Sequence, residues 1–100
     1  MIRVALPYHL RNLARVGMEV ELALEGPATL GAVLDELEKR HPVLRGAIRD
    51  HGGGKRRPFL RFFVCGEDWS HQPYSVRLPD DIEAGREPLL VIGAIAGGSL

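Results

Sequence analysis

Most residues in this chain whose type could do chemistry sit in patterns that read as structure. Cys65 is the sole cysteine. A thiol reacts as its thiolate, which needs a nearby cation, a metal or a helix N-terminus to form at neutral pH. Cys65 ends a predicted strand with none of these beside it in sequence, so it reads as a structural thiol rather than a persulfide site. His9, His41, His51 and His71 are too widely spaced to form a metal signature. Asp80 and Asp81 resemble a catalytic carboxylate pair, but they follow Pro79 in a turn, where aspartate is ordinary. His51-Gly52-Gly53-Gly54-Lys55-Arg56-Arg57-Pro58 has the glycines of a phosphate cradle. A P-loop needs Gly-Lys-Ser/Thr opening a helix; here Pro58 and a strand follow, so the stretch reads as a solvated loop. No nucleophile and base share a pattern, and no catalytic residue is assigned.

Gly97 and Gly98 are different. They follow Leu89-Leu90-Val91-Ile92-Gly93-Ala94-Ile95-Ala96 and precede Ser99-Leu100. The β-branched run predicts a strand that then loses its side chains. Bare backbone cannot pack into a core, and two successive glycines lose much entropy on ordering. Glycine also suits backbone that must approach something closely. The pattern predicts a domain over residues 1–96 and a flexible tail over 97–100, made to be inserted into a partner.

The elements that must position this tail are legible from periodicity. Ile2, Val4 and Leu6 alternate with Arg3 and Ala5, which predicts a strand with one buried face. Val20, Leu22 and Leu24 alternate with Glu19, Glu21 and Ala23 and predict a second. Tyr8 to Val16, with Gly17 as a turn, reads as the loop of a long hairpin between them. Thr29 is placed to cap a helix. Leu30, Val33, Leu34 and Leu37 then fall at i, i+3, i+4 and i+7, one helical face. Lys39, Arg40 and His41 suit the negative end of the helix dipole, and Pro42 ends the helix. Leu44 and Ile48 predict a short second helical turn. Phe59 to Val64 is a third strand, Gly66-Glu67-Asp68 a turn, and Tyr74 to Leu78 a short edge strand. Pro79-Asp80-Asp81 reads as a turn or single helical turn before the last strand. This order predicts an α+β domain of the β-grasp type, with a mixed sheet of four to five strands and one main helix on one face.

The opposite sheet face is expected to stay open. If Val64, Leu89 and Val91 point toward the helix, then Phe63, Leu90 and Ile92 point away from it. Clustered exposed apolar side chains mark a binding surface. Arg61 falls on the same face as a polar rim contact, and Ile95 continues the strand toward the tail.

Length and composition bound the rest. One hundred residues make one domain, and 45% hydrophobic content supports one core. Lys plus Arg and Asp plus Glu are 13 each, a balance that argues against nucleic acid as the main partner. A single cysteine excludes an internal disulfide and fits a reducing compartment. The apolar run at the N-terminus is too short for a signal peptide, and Pro7 interrupts it. No run approaches a membrane span of about 18 residues. The sequence predicts a cytoplasmic protein with no membrane partner, metal or bound cofactor.

Several segments resemble the MoaD/ThiS family of ubiquitin-like sulfur carriers. Ile2-Arg3-Val4 with Leu10-Arg11-Asn12-Leu13-Ala14 is similar to its opening strand and loop. Thr29 to Leu37, followed by His41-Pro42, is similar to its helix. Phe63-Val64-Cys65-Gly66-Glu67-Asp68 resembles its strand and turn, with Cys65 where asparagine is usual. Ala94-Ile95-Ala96-Gly97-Gly98 resembles its tail. The resemblance implies a protein substrate rather than an enzyme. An E1-like adenylating enzyme consumes ATP to activate the terminal glycine carboxylate. Sulfur is then loaded as a thiocarboxylate and passed to a sulfur-acceptor enzyme, in the biosynthesis of molybdopterin, thiamin, cysteine or thiolated tRNA. Gly98 is the implied sulfur-carrying terminus, with Gly97 beside it. Phe63, Arg61, Leu90, Ile92 and Ile95 form the partner-binding set. Ser99 and Leu100 must first be removed, as a metalloprotease does in some family members, because the Leu100 side chain does not suit a channel shaped for glycine. A protein-conjugating modifier and a non-covalent β-grasp interaction module are the alternative readings.

Overall fold

The computed structural model describes residues 1–51 and 54–93. Strand β1 (Ile2–Ala5) runs antiparallel to β2 (Glu19–Leu22), with Ile2 opposite Leu22 and Ala5 opposite Glu19. β3 (Leu60–Val64) and β4 (Glu67–Asp68) form a second antiparallel pair. β5 (Leu89–Gly93) lies between the two pairs, parallel to β1 and antiparallel to β3, in the order β2-β1-β5-β3-β4. The strand that leads to the Gly-Gly pair is therefore central to the mixed sheet.

Among the described residues, three α-helices accompany the sheet: α1 (Tyr8–Ala14), α2 (Leu30–Arg40) and α3 (Asp80–Glu83). α2 starts where the cap residue predicts, with Thr29 Oγ1 accepting a 3.0 Å hydrogen bond from the Ala32 amide. Leu30, Val33, Leu34 and Leu37 are fully buried, and so are Val4 and Leu22 beneath them. Phe62, Val64, Leu89 and Val91 complete this core from the other half of the sheet. A 3-10 turn over Pro42–Leu44 follows α2 and, with Ile48, buries Leu44 completely.

The segment from Tyr8 is a helix rather than a plain hairpin loop. Pro7 leads into it, Leu10 is its one buried residue, and Arg15 ends it in the left-handed region. One buried side chain leaves little periodicity to read. Tyr74 to Leu78 is not an edge strand. It crosses the N-terminus of α2, where Tyr74 O accepts from the Gly31 amide at 2.8 Å and Val76 O from the Leu30 amide at 3.0 Å. Its carbonyls satisfy first-turn helix donors and so do not serve a sheet. The short outer strand is instead β4, and the turn before it is Cys65-Gly66. Both turn residues have positive φ, 49° and 84°, between the paired Val64 and Glu67. That is a two-residue hairpin loop of the primed kind, where asparagine or glycine fits best. Cys65 is accordingly exposed in a turn, which corrects its placement as a structural thiol at a strand end.

Candidate functional site

The open face of the sheet is built by alternation along β5 and its neighbours. Leu89 and Val91 point into the core, so Leu90 and Ile92 point the other way. Phe63 is directly opposite Leu90, and Arg61 directly opposite Ile92. Ala5 adjoins Leu90 from β1. Leu90 and Phe63 are half-buried, while Ile92 is 41% exposed. The structure thus brings Phe63, Arg61, Leu90 and Ile92 together on one surface. Ile95, Gly97 and Gly98 lie outside the described residues, as do Gly52 and Gly53.

Two ion pairs flank the apolar centre. On the β1 side, the Arg3 guanidinium donates Nε to Glu19 Oε1 and Nη2 to Glu19 Oε2, each at 2.9 Å. Its Nη1 reaches Gly85 O at 2.9 Å, tying β1 to the turn that precedes β5. On the β4 side, Arg61 Nη1 donates to Asp68 Oδ2 at 3.1 Å. Asp68 Oδ1 also accepts from the Ser70 amide at 2.9 Å. An apolar centre with a charged rim is the usual anatomy of a protein-binding patch.

These contacts shift both carboxyls. Arg3 holds Glu19 below the ordinary glutamate range by hydrogen bonding. Hydrogen bonds from Ser70, with Arg61 adding to them, hold Asp68 below the ordinary aspartate range. A carboxyl depressed in the folded state adds stability above its unfolded pKa, about 4, and loses it as pH falls through the folded value. Urea midpoints should therefore fall more steeply below about pH 4 for the native chain than for Glu19→Gln. Parallel pH profiles would show that the Arg3–Glu19 pair contributes nothing.

Sequence reasoning missed three residues near this face. Phe59, one residue before β3, is 62% exposed. Pro7 and His9, at the start of α1, cover Gly93, the last described residue of β5. A Cβ at position 93 would lie 3.1 Å from His9 Cε1 and 3.5 Å from Pro7 Cβ, so glycine is what admits this contact. Phe59 was legible as the same-face neighbour of Arg61 and Phe63. The Pro7–His9 contact was not, because it depends on α1.

The other candidates have structural surroundings. The Cys65 thiol is pushed up by partial desolvation and by the negative charges of Asp81, Glu87 and Glu67, the opposite of activation. Asp81 Oδ1 accepts from Arg86 Nε at 2.7 Å, within the turn after α3. The Asp50 amide donates to Lys55 O at 2.7 Å and Arg49 forms an antiparallel backbone bridge with Arg56, so the described residues that flank the glycines run antiparallel and no helix follows them. Among the described residues, no group of three or more His, Cys, Asp or Glu side chains is placed to hold a metal ion. No helix there is long and apolar enough to cross a membrane.

No protein-family model matches the sequence, and neither does any curated protein. Solved structures do match the fold. SAMP1 from Haloferax volcanii is 23% identical, with a TM-score of 0.73 over 96% of this chain and 97% of that one. A chain of the Amycolatopsis orientalis BexX/CysO complex is 24% identical, with a TM-score of 0.74 over 98% of this chain and 100% of that one. Mycobacterium tuberculosis CysO, described as an antigen, is 24% identical, with a TM-score of 0.74 over 95% and 100%. The shared topology, end to end, establishes that this chain has the ubiquitin-like β-grasp fold.

Proposed function

We propose that the protein is a ubiquitin-like sulfur carrier whose reactive group is the Gly98 carboxylate, freed by removal of Ser99-Leu100. The observation that carries this reading is the placement of β5. It is central to the sheet, presents Leu90 and Ile92 on the open face, and is followed in sequence, four residues after Gly93, by the Gly97-Gly98 pair. A partner seated on that face stands beside the start of the tail. One of the fold's neighbours is solved as a complex of two differently named proteins, BexX and CysO, which supports a partner-binding role for this fold.

In this reading the domain docks, the tail reacts, and an E1-like partner supplies the catalysis. A terminal carboxylate is ionised at neutral pH, so its oxygen attacks the α-phosphorus of ATP and pyrophosphate leaves. A sulfur nucleophile then displaces AMP at the Gly98 carbonyl carbon. With sulfide as that nucleophile, the C–S bond forms as the C–O bond to AMP breaks, and the product is directly the thiocarboxylate, which a sulfur-acceptor enzyme uses. Glycine at the end has no Cβ to obstruct either attack. The domain over 1–96 and the tail over 97–100 divide these two tasks, with Ile95 and Gly97 leading Gly98 into the partner. The carrier has no catalytic residue of its own and works in the cytoplasm, where ATP and the sulfur-relay proteins are found.

The test is pyrophosphate release from ATP by the cognate adenylating enzyme. A chain ending at Gly98 should support it, and a chain ending at Leu100 should not until a protease trims it. Equal release with both chains, or with neither, would overturn the proposal.

A further inference from the structure

An open groove of about 380 Å³ lies between residues 54–56 and the 70–74 segment. Its walls include Lys55, Arg56, Ser70, His71, Gln72 and Tyr74, and no carboxylate lines it. Arg56 is held there by neutral groups only. Its Nε donates to Ser70 O at 3.2 Å, and its Nη1 to Leu60 O at 2.5 Å and Arg57 O at 3.3 Å. Among the described residues, neither Arg56 nor Lys55 has an acidic partner. Asp50 is engaged with Arg57 at 2.8 Å, Asp68 with Arg61, and Asp35 and Glu38 with Arg49. Lys55 and Arg56 thus share one groove with no ion pair of their own among the described residues.

The groove is also braced. The Tyr74 hydroxyl donates to Gly54 O, and the Arg49 guanidinium lies 5.4 Å from the Tyr74 ring centroid. Anchoring of Arg56 by three carbonyls and of Tyr74 by two contacts means little side-chain entropy is left to lose on binding.

We propose that this groove binds the phosphate group of a small molecule. Lys55 and Arg56 together supply two positive charges, matching the −1.5 to −2 of a phosphate monoester; a carboxylate brings only one. The Arg56 Nη2 has no protein acceptor among the described residues. The His71 imidazole and Gln72 amide add donors, and the Tyr74 ring offers an apolar wall for an organic group.

The test is a titration of ¹⁵N-labelled protein at constant ionic strength with inorganic phosphate, phenyl phosphate and a tetra-glutamate peptide. Saturable shifts confined to 54–56 and 70–74 are expected with both phosphates. Equal affinities would assign free phosphate, and tighter phenyl phosphate binding a phosphomonoester. Lys55→Gln and His71→Ala, whose native side chains make no hydrogen bond among the described residues, should each weaken phosphate binding by about fivefold at unchanged Tm, the first through loss of a positive charge and the second through loss of a donor to the anion. Unsaturable drift across surface arginines would overturn the proposal, as would unaltered affinity in both variants. So would tighter binding of the peptide, which would make the groove a dock for an acidic protein segment.

Discussion

Leu34→Ala is expected to destabilise the domain by about 2–5 kcal/mol, from lost transfer free energy and the cavity left behind. Leu34 is fully buried at the centre of the α2 face, between that helix and the sheet. Its neighbours on the face, Leu30, Val33 and Leu37, are also inaccessible, so no exposed side chain can swing in to fill the gap. Domains of this size have roughly 5–15 kcal/mol in total, so the loss is a large share. A fall in Tm of about 8–40 °C should follow, at roughly 4–8 °C per kcal/mol. A Tm within a few degrees of the native value would mean that α2 does not pack as described.

Ile92→Asp should weaken the complex with the adenylating enzyme by more than about 30-fold while the domain stays folded, as expected for a central anchor worth 2 kcal/mol or more. Ile92 is 41% exposed, so little core is lost, and its cross-strand neighbour is Arg61, which tolerates a carboxylate opposite it. Phe63 is the second anchor. Its neighbour across β4 is Asp68, so Phe63→Ala is the cleaner variant there; an introduced acid would face a like charge. Calorimetric titration of the purified enzyme with each variant checks both. Native-like affinity with either would remove the open face from the account.

How far the sequence foretold this architecture depends on how many side chains each element buries. α2 puts four leucine and valine residues on one face behind a threonine cap, and both its start and its packing were readable. The alternation in β1, β2, β3 and β5 fixes which side chains face the helix, and so placed Phe63, Leu90 and Ile92 together. α1 buries only Leu10, so its sequence carries a loop's pattern rather than a helix's. The 74–78 segment has strand-like residues, but its hydrogen bonds go to the helix terminus, a tertiary choice that local pattern does not encode. Cys65 illustrates the same limit from the other side. Its strand-like context ended one residue early, because Gly66 and a paired Glu67 close a hairpin there. The phosphate groove joins residues about 15 positions apart through that unforeseen crossing, so no window of sequence contains it.

The central claim is that Gly98 carries sulfur, and intact-mass analysis tests it most directly. The chain ending at Gly98 is incubated with its adenylating enzyme, ATP and a sulfur donor. Replacing one oxygen of the terminal carboxylate by sulfur should add about 16 Da, given that this carboxylate is the reacting group. The gain should vanish when ATP is omitted and when Gly98 is replaced by valine. A chain that keeps its carboxylate mass with an enzyme active on other carriers, or that gains the mass equally as Gly98→Val, would contradict the account.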